Sequence, residues 1–199
     1  MDINIESSNY IIYFDNIIGS GIDGNVYLAK IKESDITIVV KIMDTLTIIN
    51  ENPKSISFDE KIEEFIQINK LAAITNIGPH IYDIKRIIDR DSDHVYIFME
   101  KFDGDLKSLI DRDVKNNISV KEIESKVRNI VRPLRNIMID NKIIIGDDNT
   151  NNYLYKIVRD KLKWVRIDFT KSYFSEKLQK NKYFCMFDNV KKKYRKISL

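Results

Sequence analysis

Residues 18–26, Ile-Gly-Ser-Gly-Ile-Asp-Gly-Asn-Val, decide the fold because they hold three of the six glycines in this chain of 199 residues. β-Branched and aromatic residues flank them over residues 10–18 and 24–32, and this pattern predicts two strands joined by a glycine-rich hairpin. Glycine has no side chain, so the backbone of such a hairpin can lie directly over a triphosphate. The alternative is a tight β-turn that binds no ligand.

Outward from the hairpin, the first hundred residues are rich in predicted strands. Residues 35–43 alternate β-branched side chains and indicate a third strand, and residues 44–57 predict a loop. Ser57 is a suitable N-cap for an amphipathic helix over residues 58–75. Two further antiparallel strands are expected at residues 81–88 and 94–99, so five strands and one helix should precede residue 100.

The second half of the chain is predicted to contain more helix. The sequence FDGDLKSLI at residues 102–110 predicts a turn and a short helix, and Ser119 should cap a long amphipathic helix over residues 120–140. Pro133 inside that helix predicts a kink or a break into two helices. Short strands are expected at residues 143–145, 153–158 and 163–167. The β-rich and α-rich parts meet near residues 100–104.

Lys41 is a candidate phosphate-binding residue. It lies in Val39-Val40-Lys41 on the strand after the hairpin, where a long cation can reach the α- and β-phosphates of a nucleotide. The alternative is a solvated lysine on an exposed sheet face. The following helix offers three carboxylates, Glu60, Glu63 and Glu64, one of which would hold Lys41 in an ion pair. Glu64 is the preferred partner, and the other two would be surface charges.

The second half supplies candidate acids. Asp147 and Asn152 lie five residues apart in a polar loop after a strand of isoleucines, and Asp168 follows the next hairpin. One carboxylate to orient a hydroxyl, with an amide and a second carboxylate to hold magnesium, is what phosphoryl transfer requires. The alternatives are a polar turn for Asp147–Asn152 and a cap of the next segment for Asp168.

Taken together, these motifs make the chain resemble the protein-kinase superfamily. The similar segments are GSGIDGNV, VVK, VYIFMEKFDGDL, IGDDNTNN and IDFT, and the resemblance extends over residues 10–170. It implies an α+β, two-lobed, protein-kinase-like fold forming one domain over residues 1–199. The N-lobe would cover residues 1–99 with five strands and one helix, the hinge residues 100–104, and a truncated helical C-lobe residues 105–199. ATP with Mg²⁺, or Mn²⁺, would bind between the lobes.

The resemblance also assigns roles to individual residues. Asp147 and Lys41 would be catalytic, Glu64 would hold Lys41, and Asn152 and Asp168 would bind the metal. Met99 would be the gatekeeper, and the backbones of Glu100 and Phe102 would face the adenine. The glycine-rich segment would surround the ATP phosphates through Ile18, Gly19, Ser20, Gly21, Ile22, Asp23, Gly24, Asn25 and Val26.

Several positions depart from the family pattern. Ile145-Gly146 replaces the His-Arg that precedes the catalytic aspartate, Thr170 replaces a glycine, and no Ala-Pro-Glu follows Asp168. The missing arginine and the 31 residues after Asp168 imply a constitutive or partner-assisted serine/threonine kinase that lacks most of the peptide-docking part. Two alternatives remain open. One is a pseudokinase that recruits a partner, and the other is a small-molecule phosphotransferase of the aminoglycoside-kinase type.

Charge and composition limit the other functional classes. The chain has 33 basic and 30 acidic residues, and this balance does not indicate a nucleic-acid partner. Residues 176–199 carry eight basic and two acidic residues, so the run Lys191–Lys196 is either a solvated tail or a site for a protein substrate or activating partner. One cysteine, Cys185, no signal peptide and no apolar span predict a cytoplasmic protein in a reducing compartment, away from membranes.

Overall fold

A five-stranded antiparallel sheet forms the N-terminal half of the chain. The computed structural model describes residues 9–21, 23–146 and 148–175. Ile22, Asp147, Cys185 and the basic run Lys191–Lys196 therefore lie outside the described residues. The strand order is β1-β2-β3-β5-β4. The strands are β1 (Tyr10–Gly21), β2 (Gly24–Ile31), β3 (Thr37–Asp44), β4 (Ile81–Asp89) and β5 (Ser92–Glu100). This confirms the five strands expected from the sequence.

The register of the sheet places its two faces in different environments. Lys41 on β3 pairs with Val26 on β2 and Ile97 on β5, so these side chains share one face. That face packs on the main core of the protein. The opposite face holds a smaller apolar cluster around Ala29, Ile38 and Phe98, which Tyr10 closes by stacking on Phe98 with ring centroids 4.0 Å apart.

Two helices connect β3 to β4, where the sequence predicts one. The helix α2 (Phe58–Ile74) begins at Ser57 with a reciprocal capping box to Glu60, as expected. The loop prediction for residues 44–57 is wrong in its first part, because α1 (Thr45–Glu51) forms there. Asp44 caps α1 by accepting a hydrogen bond from the Leu46 amide. Ile48 is fully buried, so tertiary packing stabilises a helix too short to form alone.

The C-terminal half combines two helices with short strands. Helix α4 (Val120–Asp140) continues through Pro133 without the break that was an alternative, and its buried residues on both sides of the proline hold it against the core. The capping box between Ser119 and Glu122 confirms where it starts. The other elements are β6 (Gly104–Asp105), α3 (Leu106–Lys115), β7 (Ile143–Ile144), a 3₁₀ turn (Thr150–Asn152), β8 (Tyr153–Val158), β9 (Lys161–Arg166) and β10 (Tyr173–Phe174).

Two small sheets and the main core complete this mixed α and β architecture. Strands β6, β8 and β9 form a three-stranded sheet, and β7 pairs with β10. The main core contains residues of the large sheet, of α2, α3 and α4, and of the C-terminal segment through Phe169. A backbone hydrogen bond of 2.6 Å from Arg166 to Ile77 also joins the two halves. Within the described residues, the helices are all too short or too polar to cross a membrane.

Candidate functional site

A cleft of about 480 Å³ lies between the large sheet and the loops of the C-terminal half. Most residues expected at the site line it: Gly19, Ser20, Gly21, Asp23, Gly24, Val26, Lys41, Met99, Asn152 and Asp168. Of the other described residues expected there, Ile18, Asn25, Glu64, Glu100 and Phe102 are not part of the lining. The fold thus brings together residues from β1, β2, β3, β5, the 3₁₀ turn and the segment after β9.

The three glycines of the hairpin serve different purposes. Gly24 has φ +132°, and a Cβ there would lie 2.1 Å from the Ile42 carbonyl oxygen, so the fold itself requires glycine. A Cβ on Gly21 would meet no atom within 4 Å, and one on Gly19 would make only ordinary contacts with Val26 at 3.7 Å. Both glycines line the cleft. They leave open space for the close approach of a ligand.

Lys41 and Asp168 meet inside the cleft. The Lys41 Nζ lies 3.5 Å from Asp168 Oδ1, although the two residues are 127 positions apart in the sequence. Both side chains are largely shielded from water, with exposures of 14% and 19%. Asp168 adopts φ +63°, the left-handed region that is uncommon for residues other than glycine. The Thr170 hydroxyl donates a hydrogen bond to the same carboxylate.

Asp23, in the turn between β1 and β2, places a second carboxyl group beside that of Asp168. A side-chain hydrogen bond joins the two residues. Burial, together with the hydrogen bond to Asp168 and its negative charge, raises the pKa of Asp23 to about 6. Burial alone would also raise the pKa of Asp168, but the charge of Lys41 and the hydrogen bonds from Thr170 and Asp23 lower it to about 2. On acidification Asp23 therefore takes up a proton before Asp168 does.

Glu64 does not hold Lys41, contrary to the expected ion pair. Its carboxylate accepts hydrogen bonds from Asn52 Nδ2 and from the Phe174 amide, each at 3.0 Å, and it forms a short ion pair with Lys54. Glu64 is buried, and these donors come from the segment after α1 and from β10. The described chain thus pairs Glu64 with Lys54 and Lys41 with Asp168.

The other two candidate glutamates are engaged on α2 itself. Glu60 completes the capping box with Ser57, and Glu63 accepts a hydrogen bond from Gln67 at 3.1 Å. Both are exposed. Their interpretation as surface charges is consistent with these positions.

The last residue of β5, Glu100, differs from the expected arrangement. Its amide donates to the His80 carbonyl at 3.0 Å, and its buried side chain accepts from the His80 amide at 2.9 Å. Lys156 and Lys163 also pair with this carboxylate. The Glu100 amide is therefore engaged by the residue that precedes β4, whereas Met99 lines the cleft directly.

Asn152 ends the 3₁₀ turn with its side chain beside the cleft. It is 7% exposed, and its backbone carbonyl accepts a hydrogen bond from the Ile167 amide at 2.8 Å. In the described part of the chain, Asn152 Nδ2 has no hydrogen-bond partner. A buried amide left in this state is costly unless a ligand satisfies it.

A buried ionic cluster next to this turn was not found by sequence reasoning. Asp148 forms ion pairs with Arg135 and Arg166, the latter at 3.3 Å, and accepts a hydrogen bond from the Tyr153 hydroxyl at 2.7 Å. The Arg166 side chain is fully buried and its guanidinium lies 5.3 Å from the centre of the Tyr153 ring. Arg166 itself, a charged residue in a β-rich segment two residues before Asp168, was the sequence feature that could have indicated this cluster. The position of Arg135, the arginine of the cluster that lies on α4, could not be predicted from it.

Two departures from the family pattern have a structural explanation. A Cβ on Gly146 would lie 2.2 Å from the Lys171 carbonyl oxygen, so the return of the chain after Asp168 excludes any side chain at this position. Thr170 provides the hydroxyl that binds Asp168. Both substitutions are therefore compatible with an intact arrangement around Asp168.

The cleft also contains polar residues that the motifs did not indicate. Asp105 caps α3 by accepting a hydrogen bond from the Ser108 amide at 2.8 Å and lines the cleft as well. Asn69 and Asn151 add amide groups. Asp105 precedes a predicted helix, so its capping role could have been anticipated, but its position at the cleft depends on how α3 packs.

The donor set fits a cation of the magnesium type. Asp168 provides a carboxylate and Asn152 an amide, and Mg²⁺ prefers oxygen ligands and retains water or phosphate in the remaining positions. Within the described ranges there is no group of three or more His, Cys, Asp or Glu side chains placed to hold a metal without further ligands. A cation here would need oxygens from a bound nucleotide or from water.

Comparison with known proteins finds a distant similarity to a kinase. No protein-family model matches the chain. Over 136 residues, 68% of the chain, it is 26% identical to serine/threonine-protein kinase D3 of Mus musculus. The match spans 14% of the length of that protein. This weak similarity points to a kinase-like, transferase relationship over part of the chain.

Proposed function

We propose that this chain has a protein-kinase-like fold and transfers the γ-phosphoryl group of ATP to a hydroxyl group, with a serine or threonine of a protein as the acceptor. The observation that carries the proposal is the meeting of the glycine hairpin, Lys41, Asn152 and Asp168 in one cleft. The distant similarity to a serine/threonine kinase supports the same class of reaction.

The hairpin and Lys41 would bind the phosphates. Gly19 and Gly21 leave the backbone accessible, so their amides can approach phosphate oxygens without steric conflict. Lys41 now pairs with Asp168 at 3.5 Å, and a bound triphosphate would provide its ammonium group with stronger partners. This exchange would release Asp168 toward a cation.

Asn152 and Asp168 would hold Mg²⁺ or Mn²⁺. When bound, such a cation neutralises charge on the transferring phosphoryl group. Asp168 is suited to this role because it remains ionised at neutral pH, since Lys41 and Thr170 stabilise its carboxylate against the effect of burial. Asp147, which the resemblance assigns to the acceptor hydroxyl, lies outside the described residues.

The test is transfer of labelled γ-phosphate to the protein itself and to a generic basic protein. Lys41→Met and Asp168→Asn should each lower transfer by about a hundredfold or more, because each removes a group that stabilises phosphate charge. Lys30→Met is the matched control, since Lys30 pairs with exposed Asp35 on the surface. Transfer that is equal in all four proteins would indicate a contaminating kinase and refute the proposal.

A nucleotide-binding module without transfer activity is the second candidate. The position of Glu64 favours it, because Lys54 and the Phe174 amide occupy the carboxylate that was expected to hold Lys41. In this case ATP would bind in the presence of Mg²⁺ and remain intact. Calorimetric binding without labelled product, on any acceptor tested, would distinguish this function from the enzymatic one.

A further inference from the structure

We propose that Asp23 is a further ligand of the cation in this cleft and makes nucleotide binding depend on that cation. The inference rests on the proposed function. Asp23 belongs to the hairpin, immediately before Gly24, and lines the cleft together with Asp168. Its side chain is hydrogen-bonded to Asp168, so the hairpin places a second carboxyl group where the first would bind metal.

The local charge balance favours a cation between the two carboxyl groups. Lys41 supplies one positive charge to this pair, and it is the Asp168 oxygen that lies 3.5 Å from its Nζ. A divalent cation between the two carboxylates would remove the repulsion between their negative charges. Asp23 and Asp168 would both hold such a cation with their carboxylate oxygens, the type of ligand that Mg²⁺ and Mn²⁺ prefer.

Asn152 provides an independent indication of a ligand at the same place. Its amide is 7% exposed, lines the cleft, and leaves Nδ2 without a hydrogen-bond partner in the described chain. The Asn152 Nδ2 would donate to a phosphate oxygen, and in the opposite orientation of the amide its Oδ1 would face the cation. The open space around Gly21, two residues before Asp23, gives room for the phosphates.

The effect of Asp23 on the affinity for ATP should therefore change sign when a cation binds. Without a cation, its carboxylate would repel the phosphates that the hairpin backbone and Lys41 attract. With a cation, the same carboxylate would bind the metal that bridges to the phosphates. Asp23→Asn should therefore bind metal-free ATP more tightly than the wild type and bind Mn²⁺ more weakly, each by about tenfold.

The experiment measures both affinities by separate methods. ATP binding is titrated calorimetrically in EDTA and in excess Mg²⁺, and binding of Mn²⁺ alone is followed by the electron paramagnetic resonance signal of the free ion. The proteins are the wild type, Asp23→Asn and the control Asp15→Asn, which neutralises an exposed carboxylate on β1 outside the cleft. Thermal melts verify that the three proteins are folded.

The outcomes separate this inference from the proposed function. A gain in metal-free ATP affinity together with a loss of Mn²⁺ affinity in Asp23→Asn alone supports the role of Asp23. If the wild type binds ATP but Asp23→Asn shows the same two affinities, the role of Asp23 is refuted and the proposed function stands. If no protein binds ATP but Mn²⁺ binding is lost only in Asp23→Asn, the cation site is retained and the nucleotide function is refuted. If all three proteins bind Mn²⁺ with the same affinity and bind metal-free ATP with the same affinity, the inference is overturned.

Discussion

The partner of Glu64 can be tested by two double-mutant cycles. The structure pairs this carboxylate with Lys54, whereas the sequence motif predicts Lys41. Replacing Glu64 by Gln and each lysine by Met, singly and together, isolates the two interaction energies. The cycle with Lys54 should show a favourable coupling, and the cycle with Lys41 should be nearly additive.

The magnitude follows from burial. A hydrogen bond between charged groups contributes about 1.5–3 kcal/mol to stability when it is shielded. Glu64 is 9% exposed, but the Lys54 side chain is 32% exposed, so water weakens the pair. We expect a coupling of about 1–2 kcal/mol for Glu64 with Lys54 and less than about 0.5 kcal/mol for Glu64 with Lys41.

Urea denaturation at pH 7 measures these energies. Trp164 reports the transition, because it packs edge-on against Tyr155 with ring centroids 5.2 Å apart. Circular dichroism of the helices gives a second probe, and coincident transitions justify the two-state free energies. A larger coupling for Glu64 with Lys41 than with Lys54 would refute the pairing seen in the structure.

Three other perturbations have defined outcomes. Gly24→Ala should destabilise the protein by about 2 kcal/mol or more in urea denaturation, because Gly24 has φ +132° and the new Cβ would lie 2.1 Å from a carbonyl oxygen. Gly21→Ala should leave the urea midpoint unchanged and lower the affinity for ATP, since its Cβ would meet only the open space of the cleft. Asp148→Ala should lower stability by about 3 kcal/mol, seen as a lower melting temperature, because two buried arginines lose their shared carboxylate; an unchanged melting temperature would contradict this. The Arg86 guanidinium lowers the pKa of Asp93 in the folded protein below its usual 3.8. The ionised carboxylate therefore stabilises the fold fully above pH 3.8, and this contribution is lost as the pH falls through the lower, folded-state pKa. Urea midpoints between pH 5 and pH 2 should therefore fall less steeply in Asp93→Asn than in the wild type, and parallel curves would argue against the pair.

Most secondary structure could be predicted from local patterns in the sequence. The strands of the large sheet alternate β-branched residues, and Ser57 and Ser119 each precede a glutamate three positions later, which is why the two long helices begin where expected. Helix α1 could not be predicted in this way, because its seven residues depend on the burial of Ile48 in the core. The local pattern around Pro133 left kink and break open, and burial on both sides of it kept α4 as one helix.

In the candidate site, too, local motifs could be predicted from the sequence and contacts between distant segments could not. The glycine spacing, Lys41 and Asp168 could be selected from the sequence alone because each belongs to a short, local motif. The ion pair of Lys41 with Asp168 could not be predicted in this way, because it joins β3 to the segment after β9, 127 positions apart in the sequence. Which carboxylate meets which lysine depends on distances of a few ångströms, and charge attraction falls off with distance and with exposure to water. The sequence by itself determined which residues can carry the chemistry. Only tertiary packing decided that Asp168 meets both Lys41 and Asp23, while Glu64 is held by Lys54.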